Sequence, residues 1–212
     1  MVPVTILDYL HRNRTPFRPL PHRRAVGAQE LAASVHVTGR RVAKSVVAQA
    51  DGRMYLAVLP ATELLDEQRL AEALGARQVR IAAERELASL FPGCELGAEP
   101  PFGRLFGLPV VVDESLARST EQSGEPLIFR AGSNDDALEI RFDDFPRMER
   151  PLLAAITRAW APSRRSIQPG LHPHYWRRPA GGGPARLKGR KCDRTASAVP
   201  RRARALGRGL RP

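Results

Sequence analysis

Residues 42–61 read VAKSVVAQADGRMYLAVLPA, and this stretch decides the fold. Two apolar runs, RVAKSVVA and RMYLAVL, flank the sequence ADGR. An Asp-Gly dipeptide between apolar runs signals a hairpin, because both residues tolerate the positive φ angles of a tight turn. The two strands are therefore expected to be antiparallel. Along the first strand Val42, Val46 and Ala48 share one face, and Ala43 and Val47 share the other. Apolar residues on both faces mark a strand inside a sheet. Lys44 breaks that pattern. A lone ammonium there is costly unless it meets an internal carboxylate, snorkels to a rim or receives a ligand. Position alone leaves these three open.

Outward from the hairpin, helical and strand patterns interleave. TILDYLHRN reads as a helix capped by Thr5, with Ile6, Tyr9 and Leu10 on one face. TPFRPLP is extended, because proline biases its neighbours away from helix. AQELAASVHV is a short helix, and LLDEQRLAEALGA a longer one with Asp66 near its start and Gly75 as its stop. RQVRIA is a strand, AERELASLF a helix and VVVD a buried strand. PLIFRAG and ALEIRF are strands, and DDFPRMERPLLAAITRAW is read as a closing helix interrupted by prolines. The expected architecture is a single α/β domain over residues 1–160, with a mixed, partly antiparallel central sheet flanked by helices.

Residues 161–212 differ in kind. They hold fourteen Lys+Arg against one acid, Asp193, whereas residues 1–160 hold twenty bases and twenty-one acids. The formal charge of +12 thus comes entirely from the tail. Its Arg, Pro and Gly content without apolar periodicity predicts disorder. A basic arm for RNA, a solvated tail of no specific role and a reading-frame artefact all fit it. Nineteen of the twenty bases in residues 1–160 are arginine, and Lys44 is the exception. In a chain biased so strongly toward arginine, a retained lysine marks a candidate site for a compact point charge.

Other chemistry finds little support. Cys94 and Cys192 have neither a disulfide framework nor zinc spacing. The opening MVPVTILDYLHRNR lacks the apolar core of a signal peptide, and no run has the length of a membrane span. A soluble, cytoplasmic protein without metal or other cofactor is the expectation. No Gly-x-Ser-x-Gly elbow or P-loop occurs. Gly97–Gly103, GAEPPFG, is a stiff loop that reads either as a pocket wall or as a plain surface connection. Gly132 follows a strand, where it allows close approach of a ligand or simply serves a hairpin, and Glu139 lies on the next strand. His22 and His36 are isolated and read more readily as structural than as ligands.

Taken in order, PFRPLPH, AQELA, VAKSVV, YLAVLPA, LGARQVRIAAERELASLFPGCELGAEPPFG, GLPVVVDESL and IFRAG resemble the YbaK/EbsC-like aminoacyl-tRNA deacylases. These are relatives of the editing insertion domain of bacterial prolyl-tRNA synthetase. The resemblance covers residues 3–150. It implies a metal-independent hydrolase that acts in trans on the ester of a misacylated tRNA, with the tRNA, and in some settings a synthetase, as partner. It implies that Lys44 is the central catalytic residue, holding the ester carbonyl or the terminal phosphate. His22, Ser45, Gly97, Pro100, Pro101, Phe102, Gly103, Gly132 and Glu139 fall at positions expected to contact substrate. Departures from the family pattern, such as Glu30–Ala32 reading ELA and the absence of a histidine in AGSNDD, leave the amino acid open. They also keep a non-catalytic RNA-binding module on the same fold as the alternative.

Overall fold

The structure, a computed structural model, describes residues 1–159, with backbone alone for residues 120–123. The expectation of a disordered tail lies outside the described residues.

The chain opens with α1 (Val4–Arg12), β1 (Phe17–Leu20) and α2 (Ala28–Ser34). In α1, Ile6 and Leu10 are buried one turn apart, as the spacing requires. Its cap is Pro3, and Thr5 lies within the first turn without a capping bond, which corrects the expected start. Proline suits a helix entrance because it supplies no N–H that would need a partner there.

The hairpin forms as read. β2 (Ala43–Ala50) and β3 (Arg53–Pro60) pair antiparallel in register from Ala43↔Pro60 to Ala50↔Arg53. Asp51 (φ 45°) and Gly52 (φ 88°) make the turn. β4 (Glu63–Leu65) follows, so the pair Leu64–Leu65 belongs to a strand rather than to the next helix. That helix, α3 (Glu67–Leu74), starts where the Asp66 carboxylate accepts the N–H groups of Gln68 and Arg69, and it ends on left-handed Gly75. β5 (Val79–Ile81), α4 (Glu84–Leu90) and β6 (Val110–Asp113) come next.

Two segments depart from expectation. Residues 114–123, to which the sequence reading assigns no element, form α5 (Glu114–Ser123). After β7 (Leu127–Arg130) and β8 (Ala137–Ile140), the expected closing helix is only α6 (Asp144–Glu149). It stops at Arg150 (φ 47°) before Pro151, and two strands replace the rest, β9 (Leu152–Ala154) and β10 (Thr157–Ala159). Proline disfavours helix in the residue before it and ends the helix there.

The five-stranded sheet has the order β5-β2-β3-β6-β9. It is antiparallel around the hairpin and parallel where β3, β6 and β9 adjoin. β1, β8 and β7 form an antiparallel sheet of three, and β4 pairs with β10. A parallel bridge between Val42 and Ile128 connects the two larger sheets. The main core gathers Ala43, Val47, Leu56 and Val58 of the hairpin with Leu127 and Phe129 of β7, Ile6 and Leu10 of α1, and Phe102 and Phe145. Two smaller clusters lie on the other face of β2. One holds Val42 and Ile128 under α2, and the other holds Ala48, Leu59 and Leu70 under α3.

Candidate functional site

Lys44 projects from the β2 face that carries Val42 and Val46, in the gap between those two smaller clusters. Its ammonium donates to the backbone carbonyl of Glu63. Burial pushes its pKa below the ordinary lysine value, and the nearby Glu63 carboxylate opposes that shift. Of the three solutions to a charge in this strand, the structure shows an internal one, a backbone carbonyl supported by a carboxylate. Alternation sends Ser45 to the opposite face, where it pairs across the hairpin with Val58. Its buried Oγ has no hydrogen-bond partner among the described residues.

The Gly97–Gly103 loop is not a surface connection. Ala98 through Gly103 are all buried. Phe102 is fully buried and meets Phe129 edge-on at 5.0 Å. Gly103 has no room for a side chain, since a Cβ there would stand 2.6 Å from the Leu108 carbonyl oxygen and 2.5 Å from Val110 Cγ2. The loop's far end is tied to the buried Glu149, whose carboxylate accepts Arg104 N–H at 2.9 Å and Tyr9 O–H at 2.7 Å. Its near end meets the end of β7, where Gly132 N–H donates to the Ala98 carbonyl at 3.0 Å. Gly132 takes φ 87°. The group that approaches it closely is Pro3, whose ring carbons would lie 2.7 and 2.8 Å from an added Cβ.

Two further expected contacts stand apart. His22 Nδ1 lies 2.6 Å from the Arg23 carbonyl, and its Nε2 is buried without a partner among the described residues. Glu139 is engaged by Arg18, its cross-strand neighbour, at 2.5 Å.

The charged residue that reaches the loop is Arg130. Arg130 ends β7, whose Ile128 makes an isolated parallel bridge to Val42, the residue before β2. Arg130 Nη1 donates to the Val26 carbonyl and to Asn134 Oδ1, the latter at 3.0 Å. It also stands 4.0 Å from where a Cβ of Gly97 would be. Burial lowers the pKa of this guanidinium, and Glu99 and Glu30 oppose the shift. Glu99 is itself buried and accepts the Gly97 N–H at 2.9 Å. The structure thus brings Arg130, Gly97 and Glu99 together, holds Lys44 at the Glu63 carbonyl, and leaves Glu139 with Arg18. Neither Arg130 nor Glu99 is singled out by sequence. The available signals are a charge closing the apolar run PLIFR and an acid inside a Gly/Pro loop. Among the described residues, no group of three His, Cys, Asp or Glu is placed to hold a metal, and no helix is long and apolar enough to cross a membrane.

Comparison with solved structures agrees with the fold. The hypothetical protein APE2540 superposes with a TM-score of 0.63 at 20% identity, covering 73% of this chain and 99% of its own. A protein described as "a putative trans-editing enzyme for prolyl tRNA synthetase" gives 0.62 at 20%, covering 74% and 96%. A Marinobacter aquaeolei VT8 protein described as a signal transduction protein gives 0.58 at 19%, covering 74% of this chain and 31% of its own. No curated protein matches the chain. The family model for the aminoacyl-tRNA editing domain matches residues 22–148, more than half of the sequence, and the chain belongs to that family.

Proposed function

We propose that the protein hydrolyses the ester between a wrong amino acid and its tRNA, acting in trans. The observation that carries this reading is the half-buried Lys44 ammonium, held by the Glu63 carbonyl on a central strand. Water adds to the ester carbonyl carbon, and the carbonyl oxygen gains negative charge. The carbon–oxygen bond to the ribose then breaks, giving a free amino acid and a ribose hydroxyl that takes up the proton. A preplaced cation in a partly dry site stabilises that developing charge and needs no reorganisation to do so. Lys44 supplies it, and the ribose hydroxyl beside the ester assists the attacking water. The buried Gly97–Gly103 loop, with Pro100, Pro101 and Phe102, fixes one wall of the amino-acid pocket rigidly. Ser45 and His22 support this site from behind β2 and from the α2 entrance, and Gly132 fixes the end of β7.

The test is a panel of misacylated tRNAs, beginning with the proline tRNA charged with Ala, Cys or Ser. Wild type should deacylate at least one of them well above the buffer rate, and Lys44→Ala should lose that activity. Equal rates for Lys44→Ala and wild type sink the proposal. A second reading, a non-catalytic RNA-binding module, draws on the fourteen bases of residues 161–212. It requires salt-dependent tRNA binding that survives Lys44→Ala and weakens when the tail is deleted.

A further inference from the structure

Glu63 holds Lys44 through its carbonyl, and it also lines a cavity of about 250 Å³ with Arg40, Pro60, Ser115, Arg118 and Ser119. Ser115, Arg118 and Ser119 are three and four positions apart, so one face of α5 makes one wall. Arg40 comes from the 3-10 turn Gly39–Arg41 that precedes β2, and Pro60 and Glu63 flank the step from β3 to β4. The walls are tied together. Ser119 Oγ donates to the Arg40 carbonyl at 3.3 Å, and Asp113 accepts Ser115 N–H at 2.8 Å and Ile156 N–H at 2.9 Å.

The charges of this cavity are unevenly matched. The Glu63 carboxylate is close enough to Lys44 for the two charges to interact, and Arg118 Nη1 donates to the Glu114 carboxylate at 2.9 Å. The Arg40 guanidinium pairs with no carboxylate among the described residues. Both arginines are exposed, so a ligand reaches them without unfolding a wall. The serine hydroxyls donate to Asp113 and to the Arg40 and Leu116 carbonyls, which leaves the guanidinium groups as the donors for a ligand. Two guanidiniums suit a phosphate, which accepts their forked, charge-assisted bonds. The volume agrees, because it lies below the roughly 300 Å³ at which pockets for whole small molecules begin.

We propose that Arg40 and Arg118 clamp the last phosphodiester of a single-stranded RNA 3′ end in this cavity. In an aminoacyl-tRNA that phosphate joins the terminal adenosine to the nucleotide before it, one ribose away from the ester. Glu63 belongs to both parts of the site, since it lines the cavity and holds Lys44. The phosphate thus falls to the two arginines and the ester to Lys44. This deepens the proposed deacylase reading and rests on it. Arg40 and Arg118 position the RNA end whatever amino acid it carries, because phosphate contacts fix register and carry no side-chain information.

The test uses the full chain and two RNA hairpins that end in a single-stranded CCA. One is natural, and the other carries a neutral methylphosphonate at the last linkage. Calorimetric titration should show the natural RNA binding about tenfold or more tightly, the scale of one hydrogen bond between charged groups. Combining Arg40→Gln with Arg118→Gln should bring the two RNAs to the same affinity. The wild-type comparison needs no variant to fold. Equal affinities in wild type, no measurable binding of either RNA, or a preference that persists in the double variant overturn the inference. Inorganic phosphate is the third arm. If it binds wild type but not the double variant while the two RNAs bind alike, the cavity takes free phosphate and the RNA-end assignment falls. An arginine-dependent preference for the natural RNA without any deacylation would leave the inference standing and remove the hydrolase reading. Deacylation of misacylated tRNA with a KM that the double variant does not move would do the reverse.

Discussion

The two faces of β2 serve different ends. On one, Ala43 and Val47 pack with Leu56, Val58 and the aromatic side chains of Phe102 and Phe129 in the largest core cluster. On the other, Val42 and Ala48 belong to two separate small clusters, and Lys44 occupies the gap between them. A sheet covered equally on both faces has no room for a ligand. By concentrating burial on one face and dividing it on the other, this fold leaves a place where a charge can be kept and still be reached. Stability should therefore respond most to truncation of the aliphatic core on the first face, and chemistry most to loss of the charge on the second.

The largest expected effect comes from Lys44→Met, which keeps the length of the side chain and removes the charge. Deacylation should fall at least about a hundredfold, as when a preorganised oxyanion partner is lost. Because burial is the larger influence on this ammonium, the urea midpoint should stay the same or rise. A clear loss of stability would show that the lysine mainly serves the fold. Leu56→Ala is the counterpart on the packed face. Leu56 is fully buried, so its truncation should cost about 2–5 kcal/mol in urea unfolding. The protein that remains folded should keep its rate per molecule, and a matching fall in that rate would erase the distinction between the faces.

Glu149 sharpens the comparison through pH. Burial raises its pKa, against the opposing bonds from Arg104 and Tyr9. An acid with a raised folded-state pKa holds its proton more tightly folded than unfolded, so its cost is full at high pH. That cost is relieved as pH falls through the raised value toward the ordinary carboxylate value of about 4.3. Glu149→Gln should flatten that part of the stability profile and leave the pH dependence of deacylation unchanged. A shift in both would couple the Gly97–Gly103 loop anchor to the chemistry. Smallest is Asp66→Ala, which removes two capping bonds from α3 and should cost about 1 kcal/mol in thermal unfolding with no change in rate.

What could be read from sequence follows the range of the interactions. The Asp51–Gly52 turn, the Asp66 cap and the Gly75 stop are local, and each lies where its residues point. α5 escapes notice because ESLARSTEQS offers few apolar residues to set a period. LLAAITRA favours helix by composition, yet it forms two strands because β6 and β4 supply open edges from far along the chain. The Thr5 cap is displaced by Pro3, one of several local entrances the same residues allow. Within the site, Lys44 stands out because lysine is rare here. Arg130 cannot stand out among so many arginines, and only the fold sets it beside Gly97. The burial of Pro100 and Pro101 is likewise invisible to composition, which assigns such a loop to the surface.

β9 enters the sheet in parallel beside β6, pairing Val112 with Leu153 and Asp113 with Ala154, and Asp113 also accepts the Ile156 N–H at 2.9 Å. Ends separated by some forty residues must meet before those bonds can form, and closing so long a loop has an entropic cost that the local hairpin escapes. On a ribosome, the hairpin can form while β9 is still unmade. The site-bearing strand would then exist for a time in a sheet whose far edge is open, and the amides of β6 and β9 should be among the last in the domain to resist hydrogen exchange.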